Sequence, residues 1–245
     1  HITEAEPKGL EGGTINLATA RKKAKNAIKQ IIGDNLESTD GQKIEGKLKG
    51  FNFNISKEGS PNYAIDVSQK GGHIVNLLAN RNVNSAKLSS KQAAEKAKEY
   101  LAVLDYPNME PTFSEVKDNI AYISFAYQPD DIIYYPDIID VQVALDNGQI
   151  LAVEALSYLM THTKREKKEP EISEEKARSL INSEFQEINN VQLTVIPQNT
   201  LDEVLCYEIR GTIGGEVYLV YINASTGEEE QILKLVKHSN GTFTI

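Results

Sequence analysis

The sequence contains little cysteine, no tryptophan and no long apolar run. Cys206 is the only cysteine among 245 residues, so an internal disulfide is excluded, and a single free cysteine suits either side of a membrane. No apolar stretch reaches the roughly 18–20 residues that a membrane-spanning helix needs. Positive charge is also scarce: 26 Lys and Arg stand against 35 Asp and Glu, for a formal net charge of −9. That balance argues against a nucleic-acid partner, because phosphate neutralisation requires clustered basic residues.

The motifs of common active sites are missing as well. The four histidines lie far apart, without an HExxH or His-x-His pair, so we predict no metal site. Gly71–Gly72 and Gly214–Gly215 do not open helices, and they predict turns rather than phosphate-binding loops. Cys206 lies in a strand-like run and is predicted to be a small packed residue rather than a nucleophile. We therefore predict no enzymatic activity and no cofactor.

What the sequence does contain is internal repetition. Three segments share a pattern in which an aliphatic residue precedes a helix N-cap and apolar residues then recur on one helical stripe. These segments are Ile15–Ile28, Leu88–Leu101 and Ile172–Phe185. Aligned in this way, the segments place Ala20, Ala93 and Ala177 at the same position. We predict three amphipathic helices, each with this alanine on the face that packs against a sheet.

A β-hairpin pattern follows each predicted helix at nearly constant distance. The turn glycines are Gly72, Gly148 and Gly227. Before each glycine, aligned apolar residues recur at every second position, which is typical of a strand with one buried face. Glycine suits such a turn because it adopts positive φ without a Cβ clash. Two landmarks at similar spacing indicate that one structural unit occurs three times.

The fold class predicted from this repetition is α+β, with three tandem repeats that each pack one helix on a three- to four-stranded antiparallel sheet. A unit of about 70 residues has a marginal core alone, so neighbouring repeats are expected to pack together. The predicted segments are residues 1–14 as a flexible lead-in, 15–86 as repeat 1, 87–163 as repeat 2, 164–171 as a polar linker and 172–245 as repeat 3.

The opening of each helix and the closing hairpin resemble the PepSY domain. Repeat 3 carries the fullest match, with ISEEKA at Ile172–Ala177 and YINASTGE at Tyr221–Glu228. Repeat 2 departs at its turn, where Leu145–Gly148 reads LDNG, and repeat 1 has SQKGG at Ser68–Gly72. The resemblance runs from residue 15 to about residue 236 and implies a helix on an antiparallel sheet in each repeat. It supplies no binding residues.

Three PepSY units without an enzyme domain resemble the C-terminal region of a germination protein of spore-forming Gram-positive bacteria. This resemblance implies a non-enzymatic regulatory protein that stabilises and restrains a cortex-lytic enzyme, a SleB-like hydrolase. It also implies a place in the spore cortex, at the outer face of the inner spore membrane, with the membrane reached only through an N-terminal anchor. Because His1 is not an initiator methionine, we expect that anchor to precede this segment. The oligomeric state, a homodimer included, is left open.

A function of a different class stays open beside this one. PepSY units also occur in the pro-regions of secreted metalloproteases, so the chain could serve as a propeptide-like inhibitor and chaperone of such a protease. The two hypotheses differ in what accompanies the PepSY units. A pro-region should be followed by a catalytic domain with an HExxH motif, whereas a regulator of a cortex hydrolase should be encoded beside that hydrolase.

One acidic and aromatic insertion is the candidate for partner binding. Residues 129–140 read PDDIIYYPDIID, contain no Lys or Arg, and have no counterpart in the other repeats. Tyrosine supplies a large contact area at low entropic cost, and acidic residues attract basic partners. The candidate partner-binding residues are Asp130, Asp131, Tyr134, Tyr135 and Asp137. The alternative is a loop whose Ile and Tyr side chains only pack within the protein.

Overall fold

The fold was obtained as a computed structural model, which describes residues 5–188, 191–200, 202–238 and 241–244. The chain forms two compact units. The N-terminal unit consists of residues 1–125 and 137–163, and the C-terminal unit consists of residues 126–136 and 164–245. Predicted repeats 1 and 2 therefore lie mostly in one unit, and predicted repeat 3 lies in the other.

Four helices and fifteen strands occur among the described residues. The helices are α1 (Leu17–Ile32), α2 (Ser90–Val103), α3 (Leu156–Thr161) and α4 (Glu174–Ser179). The strands are β1 (Glu37–Ser38), β2 (Gln42–Ile44), β3 (Gly50–Ser56), β4 (Tyr63–Ser68), β5 (Ile74–Ala79), β6 (Met109–Lys117), β7 (Ile120–Tyr127), β8 (Ile133–Ala144), β9 (Ile150–Glu154), β10 (Gln186–Glu187), β11 (Gln192–Pro197), β12 (Glu203–Ile213), β13 (Glu216–Asn223), β14 (Glu229–His238) and β15 (Gly241–Thr244).

The two long helices begin where the sequence predicts. Asn16 caps α1 by accepting a hydrogen bond from the Thr19 amide at 2.9 Å, and Gly33 ends this helix with φ of 82°. Ser89 caps α2 through a capping box, in which Ser89 and Gln92 each bond the other's backbone amide. Such caps satisfy amides that the first helical turn would otherwise leave without a partner.

The sheets of predicted repeats 1 and 2 join in the N-terminal unit. Strands β3, β4 and β5 are antiparallel neighbours, and β5 pairs with β9, which in turn pairs with β8. The Tyr63 hydroxyl donates to the Ile150 carbonyl oxygen at 2.7 Å, and the Tyr100 hydroxyl donates to the Ala27 carbonyl oxygen at 2.9 Å. The second bond places α2 beside α1. Elements assigned by sequence to repeats 1 and 2 therefore pack against each other within this unit.

Small residues bring the helices close to the sheets. Ala20, Ala93 and Ala177 are all fully buried, so the prediction that these three alanines lie on the buried faces of their helices is confirmed. Ala24 and Ala97, one turn further on, are fully buried as well. Because alanine side chains are small, the helix can lie close to the sheet. Bulkier residues at the end of the stripe then fill the core.

The C-terminal unit has a sheet of the same kind but a much shorter helix. Strands β11 to β15 are successive antiparallel neighbours, and the first residues of β8 pair in parallel with β11. Ser173 caps α4 as predicted, but the helix ends at Ser179. A continuous helix from Ile172 to Phe185 is therefore wrong. The chain turns at Asn182, whose side chain accepts from the Glu184 amide at 2.9 Å, a local bond that competes with helix.

The same contact between turn and helix occurs three times. Gly72, Gly148 and Gly227 all have positive φ, at 64°, 79° and 79°. A Cβ on these glycines would lie 2.8, 3.0 and 3.6 Å from the Cδ1 atoms of Ile15, Leu88 and Ile172, the aliphatic residues before the three N-caps. A β-bulge also recurs at one place in each hairpin, next to Val67, Val143 and Ile222. Glycine suits each turn because its φ is positive, a conformation that strains a residue with a Cβ.

Residues 8–14, which the sequence places in the lead-in, hydrogen-bond to the N-terminal unit. The amide of Gly9 donates to the Leu159 carbonyl oxygen at 2.8 Å, and the carbonyl oxygen of Gly13 accepts from the Gly71 amide at 2.8 Å. The His73 ring nitrogen Nε2 lies 2.7 Å from the Glu11 carbonyl oxygen. This stretch therefore lies along the first hairpin turn and the end of α3.

Candidate partner-binding surfaces

The acidic insertion begins with an exposed turn. The Ile132 amide donates to the Pro129 carbonyl oxygen at 3.1 Å, and the two residues between them, Asp130 and Asp131, are exposed. Both adopt the left-handed region, with φ of 49° and 63°. Aspartate tolerates this conformation better than most residues do. The two carboxylates therefore project from a tight turn into solvent.

Tyr134 lies inside the C-terminal unit rather than on its surface. It is 6% exposed and belongs to a core cluster with Ile132, Val195 and Tyr207. The Arg165 guanidinium lies 4.8 Å from the centre of the Tyr134 ring, at a distance suited to a cation–π contact. Burial is the main cause that raises the pKa of this tyrosine. Its ring is a packing element with little surface to offer a partner.

Tyr135 points to the opposite side of the strand and is held by hydrogen bonding. Its hydroxyl donates to Oε2 of Glu208 at 2.6 Å, and its ring meets Tyr221 edge to face at 6.3 Å between ring centres. Burial, followed by the nearby Glu208 carboxylate, raises the pKa of Tyr135. The side chain is half-buried beside the apolar cluster of Ile196, Cys206 and Tyr221.

Asp137 is fully buried and belongs to the N-terminal unit. Its Oδ1 accepts from the Thr161 hydroxyl at 2.8 Å, and its Oδ2 lies 2.8 Å from Nδ1 of His162. The His162 ring stacks on Tyr158 with 4.3 Å between ring centres. These contacts hold β8 at Asp137 against the end of α3, so this carboxylate has a structural role.

The five candidate residues thus divide into two groups. Asp130 and Asp131 are available to a partner, whereas Tyr134 and Asp137 are buried and Tyr135 is hydrogen-bonded within the C-terminal unit. Sequence reasoning could not separate them, because alternating tyrosines and aspartates look the same on a packed strand and on an exposed loop. For the three inner residues the structure favours the alternative of internal packing. Partner contact at Asp130 and Asp131 stays a prediction.

The predicted linker, residues 164–171, is held at Arg165 and Lys168 by one residue of the C-terminal unit, Glu203. Arg165 donates to both oxygens of the Glu203 carboxylate at 2.7 Å, and Lys168 donates to the Glu203 backbone oxygen at 2.8 Å. A bidentate pair of this kind fixes the guanidinium in one plane, which here is the plane over the Tyr134 ring. The polar segment thus packs along the C-terminal unit.

A second surface, which the sequence did not predict, is the helix-side face of the C-terminal sheet. Ile232 is 47% exposed, although the positions that align with it, Leu77 and Val153, are each 1% exposed. All three pair across the hairpin with a buried residue of the preceding strand: Ile65 with Leu77, Val141 with Val153, and Val220 with Ile232. The same strand position is therefore core in the N-terminal unit and surface in the C-terminal unit.

Neighbouring residues extend this apolar surface. Leu180 is 44% exposed, and its Cδ1 would lie 2.7 Å from a Cβ on Gly227. Tyr218 and Phe185 are only partly buried, and the Phe185 ring packs over Gly211, the cross-strand partner of Tyr218. We call Leu180, Phe185, Tyr218 and Ile232 the uncovered face. The sequence contains one sign that the helix ends early and exposes this face, because Asn182 and Ser183 interrupt the helical pattern of repeat 3.

Cys206 is a packed core residue, and the described residues contain no cluster suited to a metal ion. Cys206 is fully buried, and burial is the main cause that raises the pKa of its thiol to about 12, so the prediction of a packed residue is confirmed. In the described ranges, no three His, Cys, Asp or Glu side chains come together as a metal ion would require. Within those same ranges no helix has both the length and the apolar character to span a membrane.

Comparison with known proteins decides the family. A family model described as YpeB sporulation, PepSY1 and PepSY2 domains matches residues 1–168, more than half of the chain. The chain belongs to the YpeB family. A further model, described as Peptidase propeptide and YPEB domain, matches residues 171–232. The YpeB match and the PepSY match together confirm the resemblance to tandem PepSY domains.

Curated relatives and a solved structure agree with this assignment. Sporulation protein YpeB of Oceanobacillus iheyensis is 36% identical over 93% of this chain and 50% of its own length. The Bacillus subtilis protein of the same name is 31% identical over 95% of this chain and 52% of its own length. The chain thus spans about half the length of these relatives. The Bacillus megaterium YpeB C-terminal domain matches with a TM-score of 0.80 at 26% identity, over 92% of this chain and 100% of that one. This match confirms the α+β class, while the boundaries of the three repeats stay a prediction.

Proposed function

We propose that this chain is a non-enzymatic regulatory module of bacterial spore germination. It binds a SleB-like cortex-lytic enzyme, keeps that enzyme stable and restrains it until germination. The observation that carries the proposal is membership of the YpeB family along nearly the whole chain, since relatives named sporulation protein YpeB align with up to 95% of it. We place it in the spore cortex, at the outer face of the inner spore membrane, where the whole protein is anchored.

The charge of the chain supports this partner. Enzymes that act on anionic cell-wall polymer are often basic, and a chain with a net charge of −9 attracts a basic protein. The acidity is concentrated: residues 172–235 contain 11 Asp and Glu but only 4 Lys and Arg. Electrostatic attraction of this kind raises the rate of encounter and orients the partners more than it raises final affinity.

The proposal is tested by mixing the chain with a purified cortex-lytic enzyme. We expect the enzyme to release muropeptides from cortex peptidoglycan more slowly and to resist added protease for longer. An acidic protein of similar size and charge but unrelated fold serves as the control. If both the hydrolysis rate and the protease resistance of the enzyme are unchanged at a chain concentration well above that of the enzyme, the proposal fails.

The exposed turn gives a sharper test of where the enzyme binds. Replacing Asp130 and Asp131 with Asn removes two charges and retains the backbone, because asparagine also tolerates positive φ. Asp105 and Asp118 provide a matched control, since both are exposed and have φ of 64° and 52°. If the turn borders the contact, the first double variant slows association several-fold at low salt and the control variant does not.

The salt dependence of this effect checks its cause. Above physiological ionic strength the Debye length falls below about 8 Å, so the difference between the two double variants should shrink. The measurement is binding kinetics of the lytic enzyme at two salt concentrations. Equal association rates for both variants at low salt would remove the turn from the binding surface.

A propeptide-like role is the second candidate. The observation that favours it is the description of the model that matches residues 171–232, Peptidase propeptide and YPEB domain. In that role the chain would inhibit a secreted metalloprotease and assist its folding. Parallel inhibition assays against the lytic enzyme and a secreted metalloprotease separate the two functions, because each predicts inhibition of a different enzyme.

A further inference from the structure

The uncovered face is the apolar surface of the C-terminal unit that stays exposed beside the short helix α4. In the N-terminal unit, α1 and α2 have 16 and 14 residues, which at about 1.5 Å per residue gives lengths of about 24 and 21 Å. In the C-terminal unit, α4 has 6 residues, or about 9 Å. Ala177 of this short helix shares a core cluster with Val220 and Ile222, which are each 1% exposed, whereas Ile232 lies outside the cluster and is 47% exposed.

The N-terminal unit shows what covers such a face when it is complete. There the two helices lie side by side over the joined sheets, with the Tyr100 hydroxyl bonded to the Ala27 carbonyl oxygen. Each helix buries alanines along its first turns and one aliphatic side chain at the end of the stripe, Ile28 in α1 and Leu101 in α2, and α2 buries Tyr100 as well. The geometry that fits this type of sheet face is therefore an amphipathic helix with a narrow stripe of small residues.

Charge indicates which helix would fit the C-terminal unit. Among the acidic residues that accompany the uncovered face, Glu187, Glu216 and Glu229 are all exposed. Glu187 and Glu229 lie on strands paired with the helix-side positions Gly211 and Ile222. Arg178 and Lys234 offset part of this charge through ion pairs with Glu187 and Glu216. The balance of 11 acids to 4 bases over residues 172–235 leaves the surroundings negative.

We propose that the uncovered face binds a basic amphipathic helix from a partner protein, which completes the C-terminal sheet as α1 and α2 complete the N-terminal one. This inference rests on the proposed function and names its surface: Leu180, Phe185, Tyr218 and Ile232 receive the apolar stripe of the helix. Binding an amphipathic helix by its apolar face is a common mode of recognition, with anchors at helical spacing. The acidic surroundings attract the basic flanks of the same helix.

The chain itself supplies a suitable probe. A peptide with the sequence of α1, Leu17–Ile32, contains five Lys and Arg and no acid, and its apolar stripe already fits this kind of sheet. Labelled with a fluorophore, it is titrated with the full 245-residue chain while anisotropy is recorded. A peptide of the same composition in scrambled order is the control for charge alone. We expect the α1 peptide to bind at least tenfold more tightly than the scrambled peptide.

Two variants locate the binding. Ile232→Gln should weaken binding of the α1 peptide at least fivefold, because a polar side chain replaces the central apolar contact. Leu78→Gln is the matched control, since Leu78 is a strand residue of the N-terminal unit with similar exposure, 54% against 47% for Ile232, and it should leave binding unchanged. Leu180→Gln provides a second variant on the uncovered face should the first alter folding, which circular dichroism would detect. Equal affinity of wild type and both face variants overturns the proposal.

The same measurements show whether a second copy of the chain occupies the uncovered face. They also separate failure of this inference from failure of the proposed function. If the chain dimerises and Ile232→Gln restores a monomer in light scattering, the occupant is a second copy and the proposal of a partner helix is overturned. The peptide titration does not involve the lytic enzyme, so it stays readable if the enzyme does not bind the chain at all. If the enzyme binds wild type and Ile232→Gln equally and the α1 peptide does not compete, the uncovered face is overturned as its contact while the proposed function stands.

Discussion

The N-terminal and C-terminal units share one arrangement of helix and hairpin, but they differ in how much of the sheet their helices cover. Both place a capped helix with a buried alanine against an antiparallel hairpin, and both have a glycine of positive φ where the hairpin turn meets the helix start. The N-terminal unit covers its sheet with two long helices, whereas the C-terminal unit has a helix of 6 residues. The hairpin and the helix cap therefore define the unit, while helix length decides how much of the sheet remains accessible.

The largest expected effect concerns the end of the buried helical stripe. Leu101 is fully buried, so Leu101→Ala should lower the free energy of unfolding of the N-terminal unit by about 2–5 kcal/mol through lost burial and a cavity. Phe185, at the aligned position, is only partly buried, so Phe185→Ala should cost the C-terminal unit less than half of that. Hydrogen exchange measured by mass spectrometry separates the two units. A larger loss for Phe185→Ala would contradict the view that the C-terminal helix face is incomplete.

The turn glycines should behave alike in the two units. Gly148 and Gly227 both have φ of 79°, a conformation that costs a residue with a Cβ about 1–2 kcal/mol. Gly148→Ala and Gly227→Ala should each lower the stability of their own unit by about this amount. Gly13→Ala is the control, because a Cβ there meets nothing within 4 Å and its φ is not positive. A cost in one unit only would show that the two turns are not equivalent.

An ion pair of the N-terminal unit has no equivalent in the C-terminal turn. Arg81 donates to both carboxylate oxygens of Asp146 at 2.7 Å, whereas the aligned residue of the third hairpin is Ser225. The hydrogen bonds from Arg81 are the main cause that lowers the pKa of Asp146. Because the pair is partly exposed, Arg81→Gln should cost about 1 kcal/mol after allowance for solvent screening.

The pH dependence of this pair follows from the direction of the shift. A carboxyl whose pKa is lowered by folding stabilises the protein fully above its unfolded pKa and loses that contribution as pH falls through the folded value. The stability difference between wild type and Arg81→Gln should therefore be constant near neutral pH and diminish below about pH 4. Urea denaturation at several pH values measures it. A difference that grows on acidification would exclude the ion pair as its source.

The smallest expected effect is at the residue that packs on the turn glycine. Lys23 and Lys96 lie against Gly72 and Gly148, and Leu180 lies against Gly227. Leu180→Lys should change stability by no more than about 0.5 kcal/mol, because Leu180 is 44% exposed. It should nevertheless weaken binding of the α1 peptide, since it replaces an apolar contact with a positive charge. Thermal unfolding and the anisotropy titration measure the two effects separately.

The features that the sequence predicts correctly depend on a few neighbouring residues. The caps at Asn16, Ser89 and Ser173 formed as predicted, and Ala20, Ala93 and Ala177 are buried. Helix caps depend on a few adjacent residues, and a stripe with helical spacing is visible without knowledge of the rest of the chain. The helix of repeat 3 was predicted too long because its apolar stripe continues to Phe185, whereas hydrogen bonding around Asn182 turns the chain away.

Local sequence patterns do not predict which of the five candidate partner-binding residues are buried. Composition alone grouped Asp130, Asp131, Tyr134, Tyr135 and Asp137 as one acidic and aromatic surface. The structure divides them, because side chains of a strand point alternately to opposite faces, and in β8 Tyr134 and Tyr135 pack on opposite sides of one sheet. Only contacts from distant segments, such as Arg165, Glu208 and His162, decide which side chains are buried.

Three features of this protein follow from its sequence: where each helix begins, which alanine of each helix is buried, and why each hairpin turn is glycine. These features depend on periodicity and on steric limits within a few residues. The tertiary structure alone decided that Leu77 and Val153 are core while Ile232 is surface. The three residues occupy the same strand position, and their burial depends on how far a helix extends over the sheet, which no residue next to them in the sequence specifies.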